Sequence, residues 1–277
     1  MIPLPAMSPS GFSTQAVLLR KIEYGDHDYI ITFLTRDMGK VSVMAKNAKK
    51  SVKRFTGALD LFSLNQIQCR YPQKNRDGMI ILSQTELENG FINIRYDLFK
   101  TAFASYWVEL VYLWLEEEKS QPALYDLLVF SLDMLNSSDI SPQVLNLLYQ
   151  IRFMSISGFT PSIDSCETCK TELDAIIQKN VRFDLQEGKI ICESCLRKTA
   201  LKTCSQAGGP GHGLYVSKGT LKQLFWINNT DISRADRIKF SPFAMAEGQA
   251  LMESFIPFHI GREMRTLKFL NRLRREL

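Results

Sequence analysis

The chain has 277 residues, with 45% apolar and 23% charged side chains and a formal net charge of +5. That is the balance of a soluble globular protein, and the length suits two or three domains. The charge is uneven: residues 1–85 carry net +6, residues 86–165 net −7 and residues 166–277 net +6. A nucleic-acid surface would therefore use the two ends.

The opening MIPLPAMSPSGFS has neither the basic nor the apolar region of a secretory signal and reads as a loose leader. From Gln15 to about Glu86 five short runs rich in β-branched and aromatic residues follow: QAVLLRKIEY, YIITFLTR, GKVSVMAK, LFSLNQIQCRY and GMIILSQTEL. Turn material separates them. Five strands in so short a span suggest a small closed barrel, which leaves no open sheet edge. Tyr29, Phe33, Phe55, Phe62 and Tyr71 lie in or beside these strands. Aromatics there could stack on bases, but alternate positions must fill the barrel, so most are read as core.

From Phe91 to Gly158 the pattern becomes helical. DLFKTAFASYWVELVYLWLEEE is apolar on most faces and belongs at the centre of a bundle. Lys100 and Glu109 interrupt it, so it is no membrane span. Two further helices start at Ser120 with Pro122 and at Ser141 with Pro142, and the second ends at Gly158. After the cysteine segment and a glycine-rich connector, AGGPGHG, three helical runs close the chain: SKGTLKQLFWIN, SPFAMAEGQALMESF and IPFHIGREMRTLKFLNRLRREL. The fold class expected is α+β, an N-terminal five-stranded OB-type barrel and then a helical bundle with an inserted four-cysteine segment. The domains expected are 1–88, 89–165, 166–205 and 206–277.

Cys166, Cys169, Cys192 and Cys195 follow the pattern C-x2-C-x22-C-x2-C. Each pair can place two thiolates on one side of a tight turn, and two such knuckles make the tetrahedral sulfur shell that Zn²⁺ prefers. VRFDL and KIIC can pair through QEGK and return the second knuckle to the first. Such a site leaves no open position for substrate and is structural. A redox dithiol pair, an iron–sulfur cluster and unused thiols are the alternatives. Without an export signal the cysteines are expected to be reduced. Cys204 and His212 are nearby, but their spacing matches no knuckle, and Cys69 reads as core.

No catalytic constellation stands out. The histidines are His27, His212 and His259, far apart in sequence, and HExxH and GxSxG are both absent. Asp26, His27 and Asp28 read as ordinary turn residues.

Lys46, Lys49, Lys50, Lys53 and Arg54 form a basic run with no acid between Lys40 and Asp60. They make a cationic stripe on a helix or a cationic finger in a loop, and phosphate is the expected partner. At the C-terminus, Arg262, Arg265, Lys268, Arg272 and Arg275 cluster on one side of a helical wheel, with Met264, Leu267, Leu270 and Leu273 on another. That helix could bind nucleic acid or cap the bundle.

The order of parts resembles the bacterial RecO family of DNA repair and recombination proteins. The resemblance runs from about Phe12 to Leu273. It rests on AVLLRKIEYGDHDYIITFLTRDMGKVSVMAKNAKKSVKRF, on the complete cysteine quartet and on FHIGREMRTLKFLNRL. This chain has Asn47-Ala48-Lys49 where the family usually has a Gly-Ala-Arg-type turn. Some members lack the cysteines, so the quartet places the chain with a zinc-bearing branch.

The resemblance implies a non-catalytic cytoplasmic protein of the bacterial nucleoid. It would bind single- and double-stranded DNA and anneal complementary strands. With RecR it would help load RecA onto DNA coated by single-strand binding protein, whose acidic tail would dock on the helical domain. The DNA contacts expected are Lys40, Lys46, Lys49, Lys50, Lys53, Arg54, Arg262, Arg265, Lys268 and Arg272. One structural Zn²⁺ per chain is expected. Two other readings are a zinc-ribbon RNA-binding protein and a zinc-dependent hydrolase or deaminase.

Overall fold

The computed structural model describes residues 6–8, 10–51, 53–55, 57–72, 78–202, 213–229 and 239–276. Cys204, His212 and most of the AGGPGHG connector lie outside them. The chain forms two compact units, residues 1–138 with 265–277, and residues 139–264.

The first unit begins with β1 (Ala6–Ser8), β2 (Gly11–Tyr24), β3 (Asp28–Thr35) and β4 (Gly39–Ala45). A 3-10 turn at Ala48–Lys50 leads to β5 (Leu64–Arg70) and β6 (Ile80–Asn89). β2 is long because it serves two partners. Its first half pairs with β5, Gly11 opposite Arg70 through Val17 opposite Leu64. Its second half pairs with β3, ending with Tyr24 opposite Asp28. A bulge between Leu18 and Arg20 re-aims the strand between the two. β4 pairs with β6 in parallel and β6 with β5, which closes a five-stranded barrel. The interior alternates as the pleat requires: Phe12, Ala16, Leu18, Ile31, Phe33, Val41, Val43, Ile67 and Leu82 all pack inside. The five expected runs are these five strands. The leader differs from its reading in one respect, since Ala6–Ser8 pairs with Gly11–Ser13.

Helices α1 (Ile92–Arg95), α2 (Leu98–Trp114) and α3 (Pro122–Ser137) complete the unit together with the last helix of the chain. The Asp97 side chain accepts the Lys100 N–H and caps α2. Phe103, Tyr106, Trp107, Leu110 and Val111 are fully buried, which accounts for a helix apolar on most faces. The start of α3 differs from the sequence reading. Gln121 is its N-cap, and the Ser120 hydroxyl donates instead to the Arg36 carbonyl at 3.1 Å.

The second unit holds α4 (Pro142–Ile156), β7 (Ser162–Cys166), β8 (Asn180–Asp184), β9 (Lys189–Ile191), α5 (Glu193–Lys202), β10 (Gly213–Ser217), α6 (Lys218–Asn229) and α7 (Pro242–Ile260). β8 and β9 form the expected hairpin. β10 and β7 flank it in a four-stranded sheet of order β10-β8-β9-β7. The last two helical runs divide differently from expectation. α7 continues through Pro257 to Ile260, and Gly261, at φ 67°, ends it. α8 (Arg265–Glu276) then begins afresh. Among the described residues no helix is long and apolar enough to cross a membrane.

Candidate metal centre and nucleic-acid interface

Cys166 ends β7. The chain then turns through Lys170, at φ 57°, whose N–H donates to the Cys166 carbonyl at 2.8 Å, so Cys169 comes back beside Cys166. Cys192 follows β9, and Cys195 lies in the first turn of α5 with its N–H on the Cys192 carbonyl at 3.1 Å. The β8–β9 hairpin thus brings the knuckles together. All four Sγ atoms lie within 4.8 Å of one another, and those of Cys169 and Cys192 are 3.8 Å apart. A sulfur tetrahedron with metal–sulfur bonds of about 2.3 Å has edges of about 3.8 Å. The Cys192 N–H also donates to the Cys166 Sγ at 3.3 Å.

Three of the cysteines are buried and Cys169 is exposed. The Thr171 hydroxyl at 3.1 Å, together with the Thr171 backbone, holds the Cys169 thiol down to about 6. Burial, followed by the neighbouring cysteines, pushes Cys195 up to about 12. Burial also raises Cys192. Four thiolates this close repel one another, and a dication at their centre removes that cost. The donor set can hold a metal ion.

The basic run is not a helix. After β4 it makes one 3-10 turn and continues as a loop at the rim of the barrel. Asn47 takes the left-handed conformation, φ 54°, which Asn tolerates. The β2–β3 turn holds it there. The Asp28 carboxylate accepts the Asn47 N–H at 2.7 Å, and the His27 carbonyl accepts the Lys49 N–H at 3.0 Å. His27 and Asp28 look like ordinary turn residues in sequence because their partners, Lys49 and Asn47, are about twenty positions away.

The cations differ in their freedom. Lys46, Lys50 and Lys53 are exposed. Among the described residues Lys46 and Lys53 have no ion pair, and the Lys50 Nζ lies 2.9 Å from the His27 Nε2. Arg54 donates to the Lys46 carbonyl at 2.7 Å and covers the Phe55 ring. Lys49 is not free of local acid. Its ammonium is 2.8 Å from Glu23, a residue the linear run does not contain, and that contact raises Lys49 and lowers Glu23.

Lys40 departs furthest from its expected role. It is 8% exposed, donates to the Tyr112 carbonyl at 3.0 Å and lies over the Tyr112 ring at 4.7 Å. Buried in this way, its ammonium is occupied within the protein and does not face a DNA phosphate. Phe33, Phe55 and Phe62 are buried, and Tyr29 and Tyr71 pack against the core, as the barrel requires.

α8 has the expected two faces. Leu267, Leu270 and Leu273 are buried, and Arg265, Lys268, Arg272 and Arg275 are exposed. Met264 is buried just before it. Arg262 is exposed but lies in the connection after Gly261, outside the helix and in the other compact unit. A continuous helix would group it with Arg265, but Gly261 at φ 67° ends α7 before it.

The N-terminal family pattern of recombination protein O matches residues 7–91, and the C-terminal one matches residues 95–268. Curated relatives agree. The chain is 43% identical over 263 residues to the DNA repair protein RecO of Desulfatibacillum aliphaticivorans, covering 95% of this chain and 97% of that protein. It is 37% identical to that of Desulfosudis oleivorans, with 95% and 98% covered, and 31% identical to that of Syntrophus aciditrophicus, with 95% and 96% covered. With barrel, helices and cysteine cluster all in the order the sequence suggested, the chain belongs to the RecO family of DNA repair proteins.

Proposed function

We propose that this protein is a non-catalytic DNA-binding mediator of recombinational repair. It binds single- and double-stranded DNA, anneals complementary strands and acts with RecR to load RecA onto DNA coated by single-strand binding protein. The observation that carries the reading is the basic turn at the barrel rim. Asp28 and His27 fix its backbone, while Lys46, Lys50 and Lys53 reach solvent.

Flexible cations on a fixed backbone suit phosphate, which carries no sequence information. Lys46, Lys49, Lys50, Lys53 and Arg54 form the first contact surface. Arg265, Lys268 and Arg272 on α8 form a second, and Arg262 is a further contact on the other unit. Neutralising phosphates on two strands at once lowers the repulsion that opposes annealing. The cysteine quartet binds one structural Zn²⁺ through four thiolates, a closed shell with no position for substrate. A barrel domain of 1–88, a helical domain made of 89–165 and 206–277, and a zinc insertion of 166–205 serve this role, and the acidic tail of single-strand binding protein docks on the helical domain. The protein works in the bacterial cytoplasm, at the nucleoid.

Binding to labelled single-stranded and duplex oligonucleotides across a salt series tests this reading. Affinity that falls steeply with salt on both supports it, and annealing assays with and without RecR follow. No binding at low salt overturns it. A clear preference for RNA of the same sequence points to an RNA-binding protein.

A further inference from the structure

A cavity of about 510 Å³ lies within the first compact unit, between β2, the turn before β5, α2 and the start of α8. That volume is in the range of small-ligand pockets. Leu19, Leu61, Val108 and Leu113 supply its apolar walls, and Arg20, Lys21 and Arg265 its cations. Arg20 and Lys21 are neighbours on β2 and Arg265 comes from α8, far along the chain, and none forms an ion pair with a described carboxylate. Arg20 donates to the Tyr112 hydroxyl at 2.6 Å and lies over its ring at 5.2 Å. Lys21 donates to the Leu59 carbonyl at 2.7 Å. Both partners are neutral; Lys21 also lies over the Tyr29 ring at 5.3 Å and acts on the Glu23 carboxylate. Three cations against the one carboxylate of Glu109 leave the lining net positive. The carboxylate in the lining, Glu109, is already engaged by the N-terminal N–H groups of α8.

A second observation falls on the same wall. Phe62 has φ 72°, a conformation rare for a bulky residue. Its N–H donates to the Leu18 carbonyl at 3.1 Å, and the Ser63 hydroxyl donates to the Asp60 carbonyl at 2.6 Å, which locks the turn. The strained turn keeps Phe62 in the core, 4% exposed, and leaves Leu61 44% exposed at the cavity. Strain held in place at a cavity points to use of that cavity.

We infer that this cavity takes an unstacked base of single-stranded DNA, with Arg20, Lys21 and Arg265 on the flanking phosphates. The inference rests on the DNA-binding reading and adds a site that discriminates between strands. Apolar walls beside a net-positive set of cations match a base beside its phosphates, and the Arg20 guanidinium beside the Tyr112 ring offers a planar surface for a base. A duplex keeps its bases stacked inside and cannot fill the site. The basic turn at the rim, by contrast, contacts phosphates of either form.

The test compares the wild type with Ser105→Phe, which fills the cavity from α2, and Leu61→Asn, which removes an apolar wall without changing charge. Affinities for oligothymidine and for a duplex are read by fluorescence anisotropy, with thermal melting as the check on folding. Single-strand affinity is expected to fall about five-fold or more while duplex affinity holds. A 4-thiothymidine oligonucleotide photo-crosslinked to the wild type is expected to map to β2, the turn at Leu61 or α2, a readout independent of how the variants fold. Unchanged single-strand affinity, equal losses on both forms, or crosslinks elsewhere overturn the inference. Loss of a labelled oligo-aspartate peptide ending in phenylalanine, with DNA binding intact, also overturns it and makes the cavity a peptide site. If the wild type binds neither DNA form, the DNA-binding reading itself fails.

Discussion

The Glu109 carboxylate, on α2, caps Thr266 on α8. One oxygen accepts the Thr266 N–H at 2.9 Å and also the Thr266 hydroxyl, and the other accepts the Arg265 N–H at 3.2 Å. The residues are 157 positions apart. A helix N-terminus presents unpaired N–H groups and a partial positive charge, and a carboxylate satisfies both. Leu267, Leu270 and Leu273 supply the burial, and Glu109 sets where the helix starts. Glu109→Ala is expected to lower stability by about 2 kcal/mol, and Glu109→Gln by less, since it keeps an acceptor. Urea denaturation checks both.

The cysteine centre predicts one zinc per chain by elemental analysis. Cys166→Ser or Cys192→Ser is expected to abolish it. The buried Cys166 and Cys192 tie β7 to the β8–β9 hairpin, so metal loss removes on the order of 10 kcal/mol of local folding energy. Hydrogen exchange is expected to rise in β7, β8 and β9 and to stay unchanged in the barrel strands.

The basic turn predicts a change in salt dependence more than in stability. Lys46→Gln, Lys50→Gln and Lys53→Gln together remove three exposed charges and one contact, that of Lys50 with His27. The slope of log affinity against log salt is expected to become shallower by about 2 on single strands, at about 0.7 per phosphate contact. An unchanged slope with an unchanged melting temperature would remove the turn from the interface.

His259 predicts a pH effect in the second unit. Burial lowers the pKa of its ring below 6.5, only partly offset by the Leu185 carbonyl, which accepts from the Nε2 at 3.0 Å. Phe159, Phe255 and Phe258 surround it, with ring centroids at 4.4, 4.6 and 5.5 Å. The fold therefore favours the neutral ring, while the unfolded chain binds the proton more readily. Stability is fully present above pH 6.5 and is lost as pH falls below it. Melting temperature is expected to drop between pH 7.5 and 5.5, with a smaller drop in His259→Gln.

Gly39 predicts a backbone effect. It has φ 71°, and a Cβ there would lie 2.0 Å from the Lys119 carbonyl. Gly39→Ala is expected to destabilise the first unit by more than the usual cost of about 1 kcal/mol for a left-handed alanine, because the Lys119 chain must also move. Thermal melting measures it.

Local patterning by itself determined the five barrel strands, the core helix α2 and the thiol quartet. The five barrel runs show in their alternation, α2 in its unbroken apolar surface, and the four cysteines in their spacing. The two faces of α8 follow from the 3.6-residue period. Each of these signals lies within one short window.

Only the tertiary structure decided which charges are free. Lys40 and Lys46 look alike in sequence, yet one is buried against Tyr112 and the other is exposed. Lys49 meets Glu23, the start of α8 meets Glu109, and Arg20, Lys21 and Arg265 come to share one cavity. The β2–β5 and β2–β3 pairings and the α2–α8 packing create these neighbours. A side chain's charge is local, but its burial and its partners depend on what the fold brings within a few ångströms.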